Sequence, residues 1–230
     1  PYESKNFVGM GDNKEERKKM KKNSNIIEKI ETPGWDAIVA TFEKIYPTQK
    51  EPLHYAPMLS WRLGGEDPLD GISVYDGGDY FHFVTFGFSE LYEKESEDYE
   101  YSGYGFELTL KLKKSSLINK DDEIGCICGI LQSLAKISYE DGSIFQPYEY
   151  IYTGQKTGMD SRSKSNITGF ITTLDEAGEI STPNGKVQFV QLIGITDKEL
   201  KQIIDEKISV EELIKKLGNT LTDYKRRSLF

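Results

Sequence analysis

Acidic side chains gathered in one stretch are the first candidates for chemistry in this chain. Four aspartates, Asp67, Asp70, Asp76 and Asp79, fall within thirteen residues, and Glu107 follows on a predicted strand. Paired carboxylates can act as general acid and base, and carboxylate oxygens suit Mg²⁺. Residues 67–71 are also typical turn formers, whose aspartates bond nearby backbone. We favour the turn interpretation and keep a carboxylate- or metal-dependent hydrolase as an alternative.

Histidine and cysteine offer little for a metal centre or a nucleophile. The histidines are His54 and His82, and the cysteines Cys126 and Cys128 lack a second pair at zinc spacing. His82 lies in an aromatic strand, where we expect a hydrogen-bonded, half-buried structural role. Residues 87–91 lack the second glycine of a nucleophile elbow, and no phosphate-binding glycine motif is present. The sequence therefore predicts no catalytic residue, no metal and no cofactor.

The segment Glu90–Glu100 is a conspicuously acidic stretch of the chain. Its acidic residues are Glu90, Glu93, Glu95, Glu97, Asp98 and Glu100, and Lys94 is its one base. Tyr92, Tyr99 and Tyr101 lie within it or beside it. Tyrosine supplies a large contact area at low entropy cost, so one interpretation is a recognition surface. The other is a solvated loop, and the residue types leave both open.

Length, charge and hydropathy restrict the classes of protein. The 230 residues carry a net charge of −9, which disfavours sequence-independent binding of nucleic acid. No apolar run reaches the roughly 20 residues that span a bilayer, and the N-terminus lacks a signal-peptide pattern. The two cysteines lie too close for an ordinary disulfide. We expect a cytoplasmic protein without nucleic-acid or membrane contact, whose acidity either serves solubility or suits a basic protein partner.

Hydrophobic periodicity predicts interleaved helices and strands. Helices are predicted over Trp35–Tyr46, Ile124–Ser138, Asp197–Glu206 and Val210–Leu217, the last two opening with capping boxes at Thr196 and Ser209. Strands are predicted over Gly71–Tyr75, Tyr80–Phe88, Tyr104–Leu112, Asn166–Leu174 and Lys186–Ile195. We expect the third strand to have one buried face, and the cysteines to pack inside the second helix. The pattern indicates a single α/β domain over residues 32–230.

Residues 1–31 differ from the rest of the chain in charge. They hold eight basic and six acidic side chains, so the remaining residues carry a net charge of −11. Lys14–Lys29 has few helix breakers and a short isoleucine stripe at helical spacing. We interpret residues 1–31 as a basic N-terminal extension, either helical or solvated.

Five blocks, in order along the chain, carry a resemblance to a known family. They are Leu63–Tyr75, His82–Tyr92, Ser102–Leu112, Thr182–Ile195 and Thr222–Ser228. Together they resemble the suppressor of fused domain. The resemblance implies an α/β sandwich, a mixed β-sheet flanked by helices, without known enzymatic activity. It also implies protein binding: an animal member with two domains binds Gli-type transcription factors through an added strand, and single-domain bacterial members are thought to be immunity proteins. This chain looks like a single-domain member.

The resemblance also selects site residues. The family's peptide-binding surface corresponds here to the strand His82–Tyr92 and its acidic continuation. The partner-binding candidates are Phe83, Glu90, Tyr92, Glu93, Glu95, Glu97 and Asp98. The residues that match the family signature are Gly64, Gly65, Asp67, Pro68, Asp70, Gly71, Gly103, Gly105 and Glu107, for which we expect structural roles. Such glycines allow turn conformations, and such carboxylates satisfy buried backbone donors.

Charge and resemblance together lead to one main hypothesis. The chain is a non-catalytic protein-binding domain, and more specifically an immunity protein that neutralises a basic toxin domain, such as a nuclease, encoded nearby. A regulatory scaffold that binds a peptide by strand addition is the second hypothesis. The hydrolase is the third.

Overall fold

The computed structural model describes residues 31–230, and its framework is a seven-stranded sheet in the order β1-β2-β3-β4-β7-β6-β5. The strands are β1 (Leu53–Tyr55), β2 (Gly71–Asp76), β3 (Tyr80–Phe86), β4 (Tyr101–Lys113), β5 (Tyr150–Ile151), β6 (Ile167–Thr182) and β7 (Gly185–Thr196). Neighbouring strands are antiparallel, except that β4 and β7 are parallel. The helices are α1 (Pro33–Ile45), α2 (Lys120–Asp141), α3 (Asp197–Ile204) and α4 (Val210–Leu217), with 3₁₀ turns at Trp61–Leu63 and Lys114–Ser116. The predicted α/β class with a mixed sheet is confirmed.

Helices cover both faces of the sheet. Helix α2 covers one face, where its buried Ile124, Ile127 and Leu131 join Phe83 and Leu110 in the largest core cluster. Successive strand residues point to opposite faces, so the alternate positions of the same strands form a second layer. On that layer α1 packs against β2, β3 and β7, while α3 and α4 pack against β6 and β7. The sheet therefore lies between two helical layers.

Strand β4 corrects one expectation. The alternation in its sequence predicts one buried face, but residues on both faces are buried, including Glu107, Thr109 and Lys111. The reason is position: β4 is the central strand of the sheet, so helices close over it on both sides. Polar residues on its second face are consequently placed inside the protein, where they need partners.

Turn chemistry sets the register of the β2–β3 hairpin. The Asp76 carboxylate accepts a hydrogen bond from the Gly78 backbone N–H at 2.8 Å, and Gly77 N–H donates to the Tyr80 carbonyl at 2.9 Å. Gly78 has a φ of 83°, a left-handed conformation that glycine adopts at little cost. The hairpin predicted around residues 76–79 is present, and Asp76 acts there as a turn residue.

Helix ends agree with their capping signals, while several boundaries shift. Both predicted capping boxes are present, Thr196 with Glu199 and Ser209 with Glu212. Strand β6 continues to Thr182 rather than ending at Leu174, because pairing with β7 resumes after an irregularity between Leu174 and Glu179. Helix α2 is longer than predicted.

The two cysteines correct a second expectation. Cys126 and Cys128 are half-buried rather than packed inside, because they flank the buried Ile127 on α2. A helix turns by about 100° per residue, so neighbours two apart cannot share its buried stripe.

Two expectations stay predictions. The division into an extension over residues 1–31 and a domain over residues 32–230 stays a prediction, and the predicted helix Lys14–Lys29 lies outside the described residues. Among the helices of residues 31–230, none is both long and apolar enough to cross a membrane.

Candidate functional site

The connection from β3 to β4 borders a cleft of about 460 Å³, which we call the aromatic cleft. Its lining residues are Trp61, Arg62, Pro68, Asp70, Gly87, Phe88, Ser89, Glu90, Leu91, Tyr92, Glu95, Ser96, Gly103, Tyr104 and Tyr139. Three parts of the fold meet here: the 3₁₀ turn before β2, the β3–β4 connection, and the last turns of α2. The cleft brings together three of the predicted partner-binding residues, Glu90, Tyr92 and Glu95.

Aromatic rings form much of the cleft wall. Tyr139 lies 5.8 Å from Trp61 in an edge-on arrangement and 5.5 Å from Tyr104, centroid to centroid. The Tyr139 hydroxyl donates a hydrogen bond of 2.6 Å to the carbonyl of Gly87. Burial raises the pKa of Tyr139 well above its ordinary value, which keeps this donor protonated. The rings are thus held in place and expose apolar surface to the cleft.

The backbone of residues 90–92 is fixed from two sides. The Leu91 carbonyl accepts hydrogen bonds from the N–H groups of Gly34 and Trp35, at 3.0 and 3.2 Å, at the start of α1. The Asn184 side-chain amide donates to the carbonyls of Glu90 and Tyr92, at 2.8 and 3.2 Å. Helix α1 and the β6–β7 turn therefore position the cleft segment.

Glu90 organises the acidic loop rather than presenting a free charge. Its carboxylate accepts hydrogen bonds from Lys94 Nζ at 2.9 Å and from the backbone N–H groups of Glu95, Ser96 and Gly103 at 2.8, 2.5 and 3.1 Å. Partial burial raises the pKa of Glu90, but these hydrogen bonds outweigh it and leave the pKa below its ordinary value. Glu90 is therefore ionised and already bonded at both oxygens.

The other predicted acids form an exposed rim, which we call the acidic rim: Glu93, Glu95, Glu97 and Asp98. Glu95 pairs with Arg62 at 2.8 Å, and Asp98 accepts hydrogen bonds from the backbone of Glu100 and Tyr101. Within residues 31–230, Glu93 and Glu97 form no ion pair. These two carboxylates are the rim charges most available to a partner.

The burial of Phe83 contradicts its prediction as a partner-binding residue. Its side chain is 0% exposed and belongs to the core cluster beneath α2. Strand β3 is an interior strand of a sheet covered on both faces, so its apolar side chains pack inward. Tyr92 remains accessible: it is half-buried, and the Arg62 guanidinium lies 5.6 Å from its ring centroid.

The signature residues lie mainly at turns and buried joints around this cleft. Glu107 is fully buried and accepts hydrogen bonds from the backbone N–H groups of Gly87 and Ser89, both at 3.0 Å. Gly103 has a φ of 56°, and a Cβ there would lie 2.7 Å from the Phe88 carbonyl oxygen. Gly64 ends the 3₁₀ turn with a φ of 89°. Pro68 and Gly71 are buried, Gly65 is half-buried, and Gly105 has a φ of 80°.

The aspartates that suggested hydrolysis do not converge. Asp67 and Asp70 precede β2 whereas Asp76 ends it, and the six residues of β2 span roughly 17 Å. Asp67 lies 3.5 Å from Lys136, and Asp76 pairs with Lys114. No group of three or more histidine, cysteine or acidic side chains within residues 31–230 is arranged to hold a metal. The arrangement is that of separate turns.

A buried polar network lies on the face of the sheet that α1 covers, and the sequence did not predict it. His82 is fully buried rather than half-buried, with Nδ1 2.8 Å from the Tyr46 hydroxyl and Nε2 3.0 Å from Asp175 Oδ2. Thr109 donates to the same Asp175 oxygen at 2.9 Å. Burial raises the pKa of Asp175, but bonding to His82 outweighs it and lowers that pKa below its ordinary value. Although it resembles a catalytic dyad, this pair is enclosed and holds the core together.

The aromatic cleft also contains three residues that the sequence did not predict as site residues: Trp61, Arg62 and Tyr139. No local motif marks them, because they come together only through the packing of the 3₁₀ turn on α2. The available signal was weak: a tryptophan and an arginine that directly precede the glycine pair at 64–65.

Comparisons with known proteins match the part of the chain that forms most of the aromatic cleft. The family model described as suppressor of fused protein matches residues 65–227. The suppressor of fused homologues of Homo sapiens and Mus musculus are each 29% identical over 182 residues, covering 73% of this chain. The chain spans 36% of the length of these curated relatives.

Solved structures agree. A crystal structure of the Sufu–Fu complex matches with a TM-score of 0.74 and 26% identity, over 86% of this chain and 92% of that one. The structure of Drosophila Suppressor of Fused matches with a TM-score of 0.74 and 25% identity, over 87% of this chain and 52% of that one.

Proposed function

Because the chain belongs to the suppressor of fused family, we propose that it is a non-catalytic protein-binding domain whose partner seats on the aromatic cleft and acidic rim. The relative solved as a Sufu–Fu complex supports binding of a protein. The observation that carries the proposal is the juxtaposition of aromatic surface from Trp61, Tyr92 and Tyr139 with a rim of exposed carboxylates. Aromatic anchors supply affinity, and rim charges supply selectivity and association rate.

The sign of the charge defines the partner. Residues 32–230 carry a net charge of −11, and Glu93 and Glu97 are exposed beside the cleft. A basic protein surface complements them, and nuclease domains carry such surfaces to hold their substrates. We therefore propose, at the finer level, a cytoplasmic immunity protein that neutralises a basic toxin domain encoded nearby, without contacting nucleic acid or membrane itself.

Replacing an aromatic anchor tests where the partner binds. The toxin-like product of the neighbouring reading frame is co-expressed with the full chain, and the affinity of the purified pair is measured by calorimetry. We expect protection from toxicity, and a loss of affinity of at least about 30-fold for Trp61→Ala, as for other interface hot spots. Tyr152→Ala is the matched control, because Tyr152 is 65% exposed and lies outside both the cleft lining and the acidic rim.

Two results would contradict this proposal. Co-expression without protection would exclude neutralisation of that toxin. Equal affinity for Trp61→Ala and the wild-type chain, with binding retained, would move the partner away from the aromatic cleft.

A peptide-binding scaffold is the second candidate, and the exposed edge at β5 favours it. Strand β5 pairs only with β6 in the described sheet, and Tyr148, Tyr150 and Tyr152 beside its edge are 50%, 46% and 65% exposed. An extended peptide can add to such an edge through backbone hydrogen bonds. Tyr150 is the position of β5 whose backbone N–H points away from β6, so Tyr150→Pro removes a donor from the free edge. Peptide capture that is lost in Tyr150→Pro but kept in Trp61→Ala would favour the scaffold.

A further inference from the structure

A second cleft, of about 650 Å³, lies at the junction of β7 and α3. Thr196 ends β7 and caps α3, so the positive end of the helix dipole faces this region. Loop residues 156–165 and the C-terminal residues 227–230 complete the walls. We call it the cationic cleft, because Lys156, Lys198 and Arg227 line it together. It shares no residue with the aromatic cleft.

The charge of the cationic cleft is opposite to that of the surrounding domain. Lys156, Lys198 and Arg227 are exposed, and none of them forms an ion pair with a residue between 31 and 230. Asp197 has the one acidic side chain among the lining residues. Three cations converge here on a domain that carries a net charge of −11. Such a grouping attracts an anion into the cleft.

A buried hydroxyl group points to the kind of anion. Thr168 Oγ1 is buried and has no hydrogen-bond partner among residues 31–230, although Thr168 lines the cleft. Thr168 as a whole is only 9% exposed, and a buried hydroxyl without a partner is costly. The pairing of β6 with β7 shifts register between Ile167 and Gly169, and such a bulge redirects the intervening side chain. Thr168 is therefore a donor held beside the cations.

We propose that the cationic cleft binds a phosphate-type oxyanion. Lysine and arginine provide charge-assisted hydrogen bonds to phosphate oxygens, while the Thr168 hydroxyl donates to the same group. The N-terminus of α3 adds its dipole. The Asp197 carboxylate repels an anion, but the three cations of the cleft outnumber it. This site is independent of the proposed protein-binding face, so either can fail alone.

Titration with inorganic phosphate tests the charges. Backbone amide resonances of the full chain are followed by NMR, with chloride replacing phosphate at constant ionic strength in the reference. We expect shifts centred on residues 165–168 and 196–198, and at least about a tenfold loss of affinity in Lys156→Gln/Lys198→Gln. Lys215→Gln/Lys216→Gln, on exposed positions of α4, removes the same charge elsewhere and should bind as the wild-type chain does.

Substituting Thr168 by valine tests the buried hydroxyl. The side chains have similar shape, and the hydroxyl has no partner in the described residues, so the unfolding midpoint of the free chain should not fall. Phosphate affinity should fall about tenfold. A lower midpoint would show that the hydroxyl bonds within the protein, and unchanged affinity would show that it does not contact phosphate; either overturns its assigned role.

The source of the phosphoryl group is resolved by comparing probes. A phosphoserine peptide and adenosine monophosphate are titrated in the same way, each beside its unphosphorylated counterpart. Tighter binding of the phosphopeptide assigns the site to a modified protein, and tighter binding of the nucleotide assigns it to a small phosphorylated molecule. Absence of shifts at residues 165–168 with all three phosphorylated probes overturns the proposal.

Discussion

Glu107 is a carboxylate enclosed by four hydrogen-bond donors. Besides the backbone of Gly87 and Ser89, it accepts bonds from the hydroxyls of Thr85 and Ser89, both at 2.6 Å. These bonds join β3, β4 and the start of the cleft segment through one side chain. Burial raises the pKa of Glu107 to about 7, against the opposing effect of its hydrogen bonds.

The raised pKa of Glu107 predicts a pH-dependent stability. Between its ordinary pKa of 4.5 and about 7, the folded chain holds a proton there that the unfolded chain has lost. Rising pH through this window should therefore lower the free energy of unfolding, by up to about 3 kcal/mol from this group. Urea unfolding from pH 4.5 to 8 measures the slope, and Glu107→Gln should flatten it. A slope equal in both proteins would contradict the assignment to Glu107.

Asp175 is expected to be costly to remove. Asp175→Ala leaves the imidazole of His82 and the hydroxyl of Thr109 without their shared acceptor in a closed interior. We expect a loss of about 3–5 kcal/mol in the free energy of unfolding. Glu179→Ala is the control on the same strand, since Glu179 is exposed and forms no ion pair within residues 31–230, so its removal should cost below about 1 kcal/mol. Equal losses in urea titrations would show that burial of Asp175 does not matter.

Helices and strands were predictable from the sequence where a capping box or a turn motif is enough to define their ends. The two capping boxes place α3 and α4, and the turn at residues 76–79 places the β2–β3 hairpin. What local signals could not provide was the burial of both faces of β4, because this follows from its central place in the sheet. For the same reason the sequence predicts Phe83 as a partner-binding residue although its side chain is buried.

The cleft was predictable only in part. The family resemblance located Tyr92 and the acidic rim, and the residue types indicated recognition. The opposing wall, with Trp61 and Tyr139, depends on contacts between elements far apart in sequence, which no pattern of neighbouring residues encodes. The domain boundary near residue 32 stays a prediction.

The β3–β4 connection should be sensitive to a single methyl group. Gly103→Ala requires a left-handed residue to carry a Cβ 2.7 Å from the Phe88 carbonyl oxygen. Gly178→Ala is a matched control, with a φ of 67° and open space around its Cβ. We expect the control to lose about 1 kcal/mol and Gly103→Ala roughly 2–4 kcal/mol, because only the latter adds a clash. Thermal or urea unfolding of both variants decides the point, and equal losses would exclude the steric contribution.

At the scale of the whole molecule, charge is distributed with opposite signs at two separate places. The acidic rim borders the aromatic cleft, whereas the cationic cleft lies at the β7–α3 junction. A net charge of −9 alone does not distinguish these surfaces. A basic protein approaching the chain is attracted to one surface and repelled from the other, so the electrostatic field orients the encounter.

Association kinetics test this orientation. One variant replaces Glu93 and Glu97 by lysine. The control replaces Glu206, which precedes α4, and Glu211, which lies on α4; both are exposed, and the net charge changes by the same amount. If the field near the rim steers the partner, the rim variant should associate at least about tenfold more slowly at low salt, and its rate should depend less on salt. The control should change the rate much less, because its charges lie away from the cleft lining. Equal rates for the two variants would mean that only net charge acts, and that the acidic rim serves solubility rather than recognition.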